Sequence, residues 1–538
     1  MNWENLVKEQ WSLAKDLIGV DIDQDDYISK MRQTLNNETE STEFMFEDLV
    51  TNMEIKVKSM QHGELNDLMA DVAQKLADAA DKKKTHSEVF TKREGAESVI
   101  QQAYRRNPQP FLSMNSKLCE VSFGAGNFIV AMVDFLMVSL RSQAACFYGT
   151  GKQAKEMSDD ELRIYILDNM IYGVELQSHF PGWALFTLDQ DQKCKKLHKH
   201  LYQGDSLLFD FVFDGEDMMG KFDVVFGNPP YNVIEAKERS KYKYSSEKWK
   251  TTNEAGALHI YFIRLALDLL KKGGMMLYVT RASVLVTDNV SDFREQILKT
   301  YFDIQLVYIP QVGTLFEGAQ TTGMGLMAIK KDATDPRTET TFIRFINNVE
   351  HECSYVIKDS DKKIPLLWDK HTIEIWEKLS ALDNRYEGYK GVGRKKVVEG
   401  NFKLLDSIGT TGPVYGTTNH NKEAKRNRAG AGRTDIKVLV STGCTDAIGD
   451  RLYWLEGIVK DSKGELEYTE NVCGIVNKSS LDDIENTLKD PIITVYGSLF
   501  RVDRNTSAAF YRMMSYDYST DIIDNESREW ASTLTTSK

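Results

Sequence analysis

The apolar positions change rhythm three times along this chain. From Met1 to about Lys84 they are sparse and fall at helical spacing, as in Leu65, Leu68, Met69, Val72, Leu76 and Ala80, before the charged run Asp81-Lys82-Lys83-Lys84. This predicts an N-terminal helical extension over residues 1–85. From about His86 to Lys331, short apolar runs alternate with longer amphipathic segments, the pattern of a parallel sheet covered by helices. Strands are expected at Leu118–Val121, Ile171–Val174, Phe222–Phe226 and Met275–Thr280, and Asp332-Ala333-Thr334-Asp335-Pro336 reads as a linker. The expected fold class is α/β, with a doubly wound sheet over residues 86–334. Residues 335–538 show mixed strand signals, including Lys437–Val440 and Ile492–Val495, between Gly-rich loops, and predict a separate mixed α+β domain. The polar stretch after about Ser519 is expected to be loosely ordered.

Composition narrows the class. A chain of 538 residues exceeds one ordinary core, and 41% hydrophobic with 27% charged residues fits a soluble globular protein. No run approaches the roughly 18 apolar residues needed to cross a bilayer, and Met1-Asn2-Trp3-Glu4-Asn5 lacks the basic-then-apolar start of a signal peptide, so a cytoplasmic location is expected. The six cysteines have no paired short spacing, which argues for free thiols and against zinc or disulfides; no metal is expected. The net charge of −13 disfavours a polyanionic partner overall, but between Asp383 and Lys437 twelve basic residues oppose six acidic ones. That local excess marks Arg394, Lys395, Lys396, Lys425, Arg426, Arg428 and Arg433 as candidate DNA contacts; a solvated loop is the plain alternative.

The most informative residues are Asn228-Pro229-Pro230-Tyr231, directly after the apolar run Phe222–Phe226. Asn228 offers an amide oxygen, and Pro229 a carbonyl without a competing N–H, so two acceptors can converge on one exocyclic amine. Pro230 biases Pro229 toward extended geometry and so stiffens the pair. Tyr231 can lie against a flat ring. Alone, the tetrapeptide is equally consistent with a turn.

Three upstream segments decide between these. Leu118–Phe128 reads as a strand, a glycine turn through Phe123, Gly124, Gly126 and Asn127, then a helix to about Leu140, with glycines letting the backbone approach a ligand. Tyr172-Gly173-Val174-Glu175 ends a second strand in an acid placed to accept from ribose hydroxyls. Gln203-Gly204-Asp205-Ser206 offers a further acid after a turn, suited to an adenine amino group. All in order before Asn-Pro-Pro-Tyr are not a chance set.

In this ordered set the chain resembles the N-6 adenine-specific DNA methyltransferases of the gamma-type motif order, as in type II restriction-modification systems, over about Val89 to Lys331. The resemblance implies a Rossmann-like doubly wound catalytic domain, S-adenosylmethionine as methyl donor, double-stranded DNA as partner, and a target recognition domain at the C-terminal side. By the same likeness Thr91 and Glu120 would touch the donor's methionine end, Phe123, Gly124, Gly126 and Asn127 would line its site, Glu175 would hold the ribose, and Asp205 with Ser206 the adenine. The pattern departs at Phe90-Thr91-Lys92 and Glu120-Val121, where relatives carry a proline, and at Arg281, where they often carry one. Leu315-Phe316-Glu317 resembles the last core motif, which makes Phe316 a second ring against the target base beside Tyr231. Asp435–Val440 and Ser480–Asn486 loosely resemble recognition-domain segments.

The expected reaction is transfer of a methyl group to the N6 of an adenine extruded from a specific duplex sequence, with Asn228, Pro229, Pro230 and Tyr231 as the catalytic motif. A separately encoded restriction nuclease is an expected partner. Competing readings are a methyltransferase acting on RNA or a protein glutamine, an enzyme with its own nuclease, and an inactive DNA-binding relative. The nuclease reading is disfavoured because Glu235-Ala236-Lys237, a Glu-x-Lys with acidic neighbours, lies just behind the catalytic motif and inside the methyltransferase core.

Overall fold

The structure is a computed structural model. It describes residues 91–382 apart from 148–150, 178–183, 186–187, 190–192, 252–255, 312, 316–321 and 347, together with 387–390, 403–405, 415–416, 437–441, 458–462, 466–468, 472–476, 480–500 and 522–536. The expected N-terminal extension, Phe316 and all seven candidate DNA-contacting residues lie outside the described residues.

Helix α1 (Arg93–Arg106) leads into strand β1 (Leu118–Glu120), helix α2 (Asn127–Ser139), helix α3 (Asp159–Asn169) and strands β2 (Ile171–Glu175), β3 (Leu201–Gln203) and β4 (Phe222–Gly227). Helix α4 (Leu258–Leu269) then feeds β5 (Leu270–Arg281), followed by β6 (Phe302–Ile309), β7 (Gly323–Lys330), β8 (Thr340–Ile346) and β9 (Val349–Tyr355). These strands form one sheet in the order β9-β8-β6-β7-β5-β4-β1-β2-β3. From β5 through β3 the pairings are parallel, and β7 runs antiparallel to both its neighbours. This is the doubly wound Rossmann-like sheet the alternating pattern predicts.

Burial on both faces explains the apolar runs. In β4, Val224 and Phe226 join a core with α1 and α2, while Phe222 and Val225 join the opposite core with α4. Helix α3 starts on a reciprocal cap, the Ser158 hydroxyl accepting from the Glu161 N–H at 3.2 Å and the Glu161 carboxylate from the Ser158 N–H at 2.8 Å.

The boundary expected at residue 334 does not mark the end of the sheet. β8 pairs in parallel with β6 and carries β9 as an antiparallel edge, so residues 340–355 belong to the large sheet. The Asp-Pro linker signal is a strand connection, and the apolar content of Thr340–Ile346 is that of a buried strand. Helix α5 (Lys370–Ser380) follows, and a second, all-antiparallel sheet joins Glu387–Lys390, Val472–Val476, Lys437–Ser441 and Ile458–Asp461 in that order.

Two further expectations are corrected. Ile492–Val495 is not a strand but part of helix α7 (Pro491–Ser498), which follows α6 (Leu481–Lys489). Asp490 caps it by accepting from the Ile492 N–H at 2.8 Å, and Pro491 supplies helical φ at its first position. Within the stretch expected to be loose, residues Asn525–Thr536 form helix α8, whose Ala531 is fully buried and whose Trp530 packs 6.2 Å from Trp368 and 5.0 Å from His371. Its polar surface is the solvent side of an amphipathic helix.

These late helices fold back on the large sheet. The Leu366 N–H donates to the Leu499 carbonyl at 2.9 Å, and buried Arg344 in β8 donates to the carbonyls of Leu366 and Ser498 at 3.0 and 3.2 Å. Residues of α5, α6, α7 and α8 share one apolar cluster with β6 and β8.

Candidate functional site

At the carboxyl ends of β1, β2 and β4, where open parallel sheets present their crevice, lies a cavity of about 370 Å³. The glycine turn after β1 and the Asn-Pro-Pro-Tyr segment after β4 form two of its walls. Thr91, Glu120, Phe123, Gly124, Asn127, Glu175, Asp205 and Ser206 all reach it, as do Asn228, Pro229, Pro230 and Tyr231. Gly126 stands behind the wall at the start of α2 with φ of 89°, and a Cβ there would come within 3.3 Å of Ala184.

At one end of the cavity three buried polar atoms have no hydrogen-bond partner: the Thr91 hydroxyl, Glu120 Oε2 and Asn127 Oδ1. Asn127 Nδ2 is fixed on the Thr91 carbonyl at 3.2 Å, which aims its oxygen. Burying such groups unpaired costs about 1–3 kcal/mol each, so the constellation suits a polar ligand end carrying donors. Burial first, and then repulsion from Glu175, holds the Glu120 carboxyl well above the usual range. A cation beside it relieves both.

Further along, Glu175 accepts from the Gly124 and Gln177 N–H groups, each at 2.9 Å. Burial still raises its carboxyl above the ordinary value, and each oxygen keeps a lone pair for a ligand hydroxyl. Asp205 accepts from the Leu207 N–H at 3.0 Å and from the Tyr242 hydroxyl at 3.2 Å. The Ser206 hydroxyl is committed to the Val121 carbonyl at 2.6 Å, so its part is to lock the turn onto β1.

Gly227 ends β4 with φ of 135° and delivers Asn228, whose carbonyl accepts from the Ser122 hydroxyl at 3.3 Å. The Tyr231 hydroxyl donates to Asn228 Oδ1 and lies 3.3 Å from the Val279 carbonyl. This differs from the expected open platform: Tyr231 is buried, and the Arg281 guanidinium sits 5.0 Å from its ring centroid. Use of that face by a planar substrate requires Arg281 to swing away. His259 meets the Tyr231 ring edge-on at 6.2 Å, and burial, then Arg281, holds its imidazole down to about 3. Sequence reasoning noted Arg281 only as a motif departure, and Tyr242 not at all; the lone signal for Tyr242 was its place shortly after the motif.

Residues 146–316 match the Eco57I restriction-modification methylase family. That stretch is similar to methylases of the restriction-modification type. Over 194 residues it is also 24% identical to the Type II methyltransferase M.PaeR7I of Pseudomonas aeruginosa, a match covering 36% of this chain and 31% of that relative's length. Among solved structures, it is similar to the Type IIL restriction-modification enzyme MmeI in complex with DNA, at 12% identity and a TM-score of 0.47, covering 89% of this chain and 70% of the other. Similarity to the M protein of the Type I restriction enzyme EcoKI is 14% in identity with a TM-score of 0.33, over 63% and 70% of the two chains.

S-adenosylmethionine is the methyl donor that the resemblance seen in the sequence implies. The cavity fits it: unpaired Thr91, Glu120 and Asn127 atoms suit the ammonium and carboxylate of an amino-acid end, Glu175 a diol, and Asp205 an amino-purine edge.

Proposed function

We propose that this chain methylates the exocyclic N6 of adenine within a specific double-stranded DNA sequence, acting on an extruded base. The observation that carries the reading is that Asn228 and Pro229 line the same cavity as the acidic end formed by Glu120. Adenine's amine is a poor nucleophile because its lone pair is delocalised into the ring. Acceptance of its two hydrogens by the Asn228 amide oxygen and the Pro229 carbonyl localises that pair, and the same oxygens stabilise the positive charge that develops on nitrogen. Bound S-adenosylmethionine supplies an electrophilic methyl group on sulfur. Alignment by a stiff motif contributes the rest of the rate.

An adenine within a duplex cannot reach this cavity, so the base leaves the stack and lies between Tyr231 and Phe316 once Arg281 has moved. Sequence is read by the region between α5 and α6, where Arg394, Lys395, Lys396, Lys425, Arg426, Arg428 and Arg433 contact the duplex. A separately encoded nuclease acting on unmethylated sites would complete such a system.

The test is Asn228→Ala. It should abolish methyl transfer to duplex adenine while leaving donor binding by calorimetry nearly unchanged; full activity in the variant refutes the assignment.

A further inference from the structure

Immediately after the catalytic motif, residues 235–250 carry Lys237, Arg239, Lys241, Lys243, Lys248 and Lys250 against Glu235, Glu238 and Glu247, an excess of basic residues in a chain of net charge −13. We propose that this stretch is a phosphate-contacting surface that grips the DNA strand carrying the target base. It rests on the DNA reading above and adds a second contact surface to the one expected between α5 and α6.

The backbone here is held from beneath. Lys241 and Lys243 are about half exposed, whereas the alternating Tyr242 and Tyr244 are buried. Their hydroxyls donate to Asp205 and Asp268, each at 3.2 Å. The Lys241 and Lys243 ammonium groups lie 5.0 and 4.8 Å from the Tyr242 and Tyr244 ring centroids, anchoring each stem over an aromatic face. Arg264, wholly buried, donates to the Tyr244 carbonyl at 2.9 Å and the Thr251 hydroxyl at 2.7 Å. The segment is therefore a preorganised ledge that presents cations at fixed positions.

Its place is beside the cavity: Glu235, Glu238 and Tyr242 line it together with Asn228, and Lys241 and Lys243 flank Tyr242 in the chain. The present partners are replaceable. Lys237–Glu235 and Lys241–Glu238, both at 3.0 Å, are solvent-exposed ion pairs, and exchange of such a carboxylate for a phosphate costs little. Exposed Lys248 and Lys250 extend the positive row. A polyanion whose phosphates repeat along a strand is the matching partner.

The experiment measures duplex-DNA affinity of the full chain, with donor bound, against salt concentration. For the triple variant Lys241→Gln, Lys243→Gln, Lys248→Gln, affinity should fall and the slope of log K against log salt should flatten by roughly 2–3, at about 0.9 per lost phosphate contact. Donor affinity and melting temperature should match the parent, which excludes misfolding. A slope equal to the parent's overturns the ledge while leaving the methylase reading intact. A parent chain without salt-dependent DNA binding overturns both. Flattening seen with duplex RNA but not with DNA overturns the assignment of the partner.

Discussion

The hydroxyl of Tyr231 donates to the amide oxygen of Asn228, the acceptor that the proposed reaction needs for the substrate amine. Burial raises the Tyr231 hydroxyl above its ordinary value, so it stays protonated and remains a donor at any working pH. In the resting site this bond fixes the amide's orientation before substrate arrives.

Tyr231→Phe keeps the ring and removes that donor. The expected result is a fall in single-turnover rate on the order of tenfold, about 1.4 kcal/mol. Extrusion of a fluorescent base analogue at the target position should persist. An unaltered rate in the Phe variant would show that only the ring matters.

Glu120 makes stability depend on pH in a stated direction. Because its folded carboxyl titrates above its unfolded value, the folded state holds a proton that the unfolded state has released. Stability of the ligand-free protein therefore declines as pH rises from the ordinary carboxyl value through the raised one, and Glu175 adds a decline of the same sign. Urea unfolding across that range should give a shallower decline for Glu120→Gln than for the parent. Donor affinity should rise over the same interval in the parent and lose most of that rise in the variant.

Gly227 joins the two halves of the site. Its φ of 135° disfavours any side chain, and a Cβ would stand 3.0 Å from Glu120 Cγ. Gly227→Ala should cost roughly 1–3 kcal/mol in backbone strain. It should also weaken donor binding by displacing Glu120, measured by thermal unfolding with and without donor.

Arg344→Met removes the donor shared by Leu366 and Ser498 while keeping the side-chain stem over Trp368. Two buried carbonyls then lose a charged partner, and unfolding should occur at about 1–3 kcal/mol lower stability. Equal stability would mean the late helices are held by apolar packing alone.

The strands nearest the site were legible because each is apolar on two faces and ends in a residue whose chemistry stands out: Glu120, Glu175, Asn228. The turn loops were legible through their glycines. The enclosed setting of the Tyr231 ring was not, because Arg281 and Val279 lie about fifty residues away in sequence and come beside it only through the β4–β5 pairing. Ile492–Val495 misled because a short apolar run has no period of its own; Asp490-Pro491 ahead of it carried the helical information. Thr340–Ile346 was assigned past the boundary because Asp335-Pro336 marks a turn equally well between domains or between strands.

The fastening of Leu366 and Arg344 to residues 498 and 499 means that the large sheet and the late helices share one body. A graft starting at residue 335 would therefore amputate two strands of that sheet together with the helices that cover it.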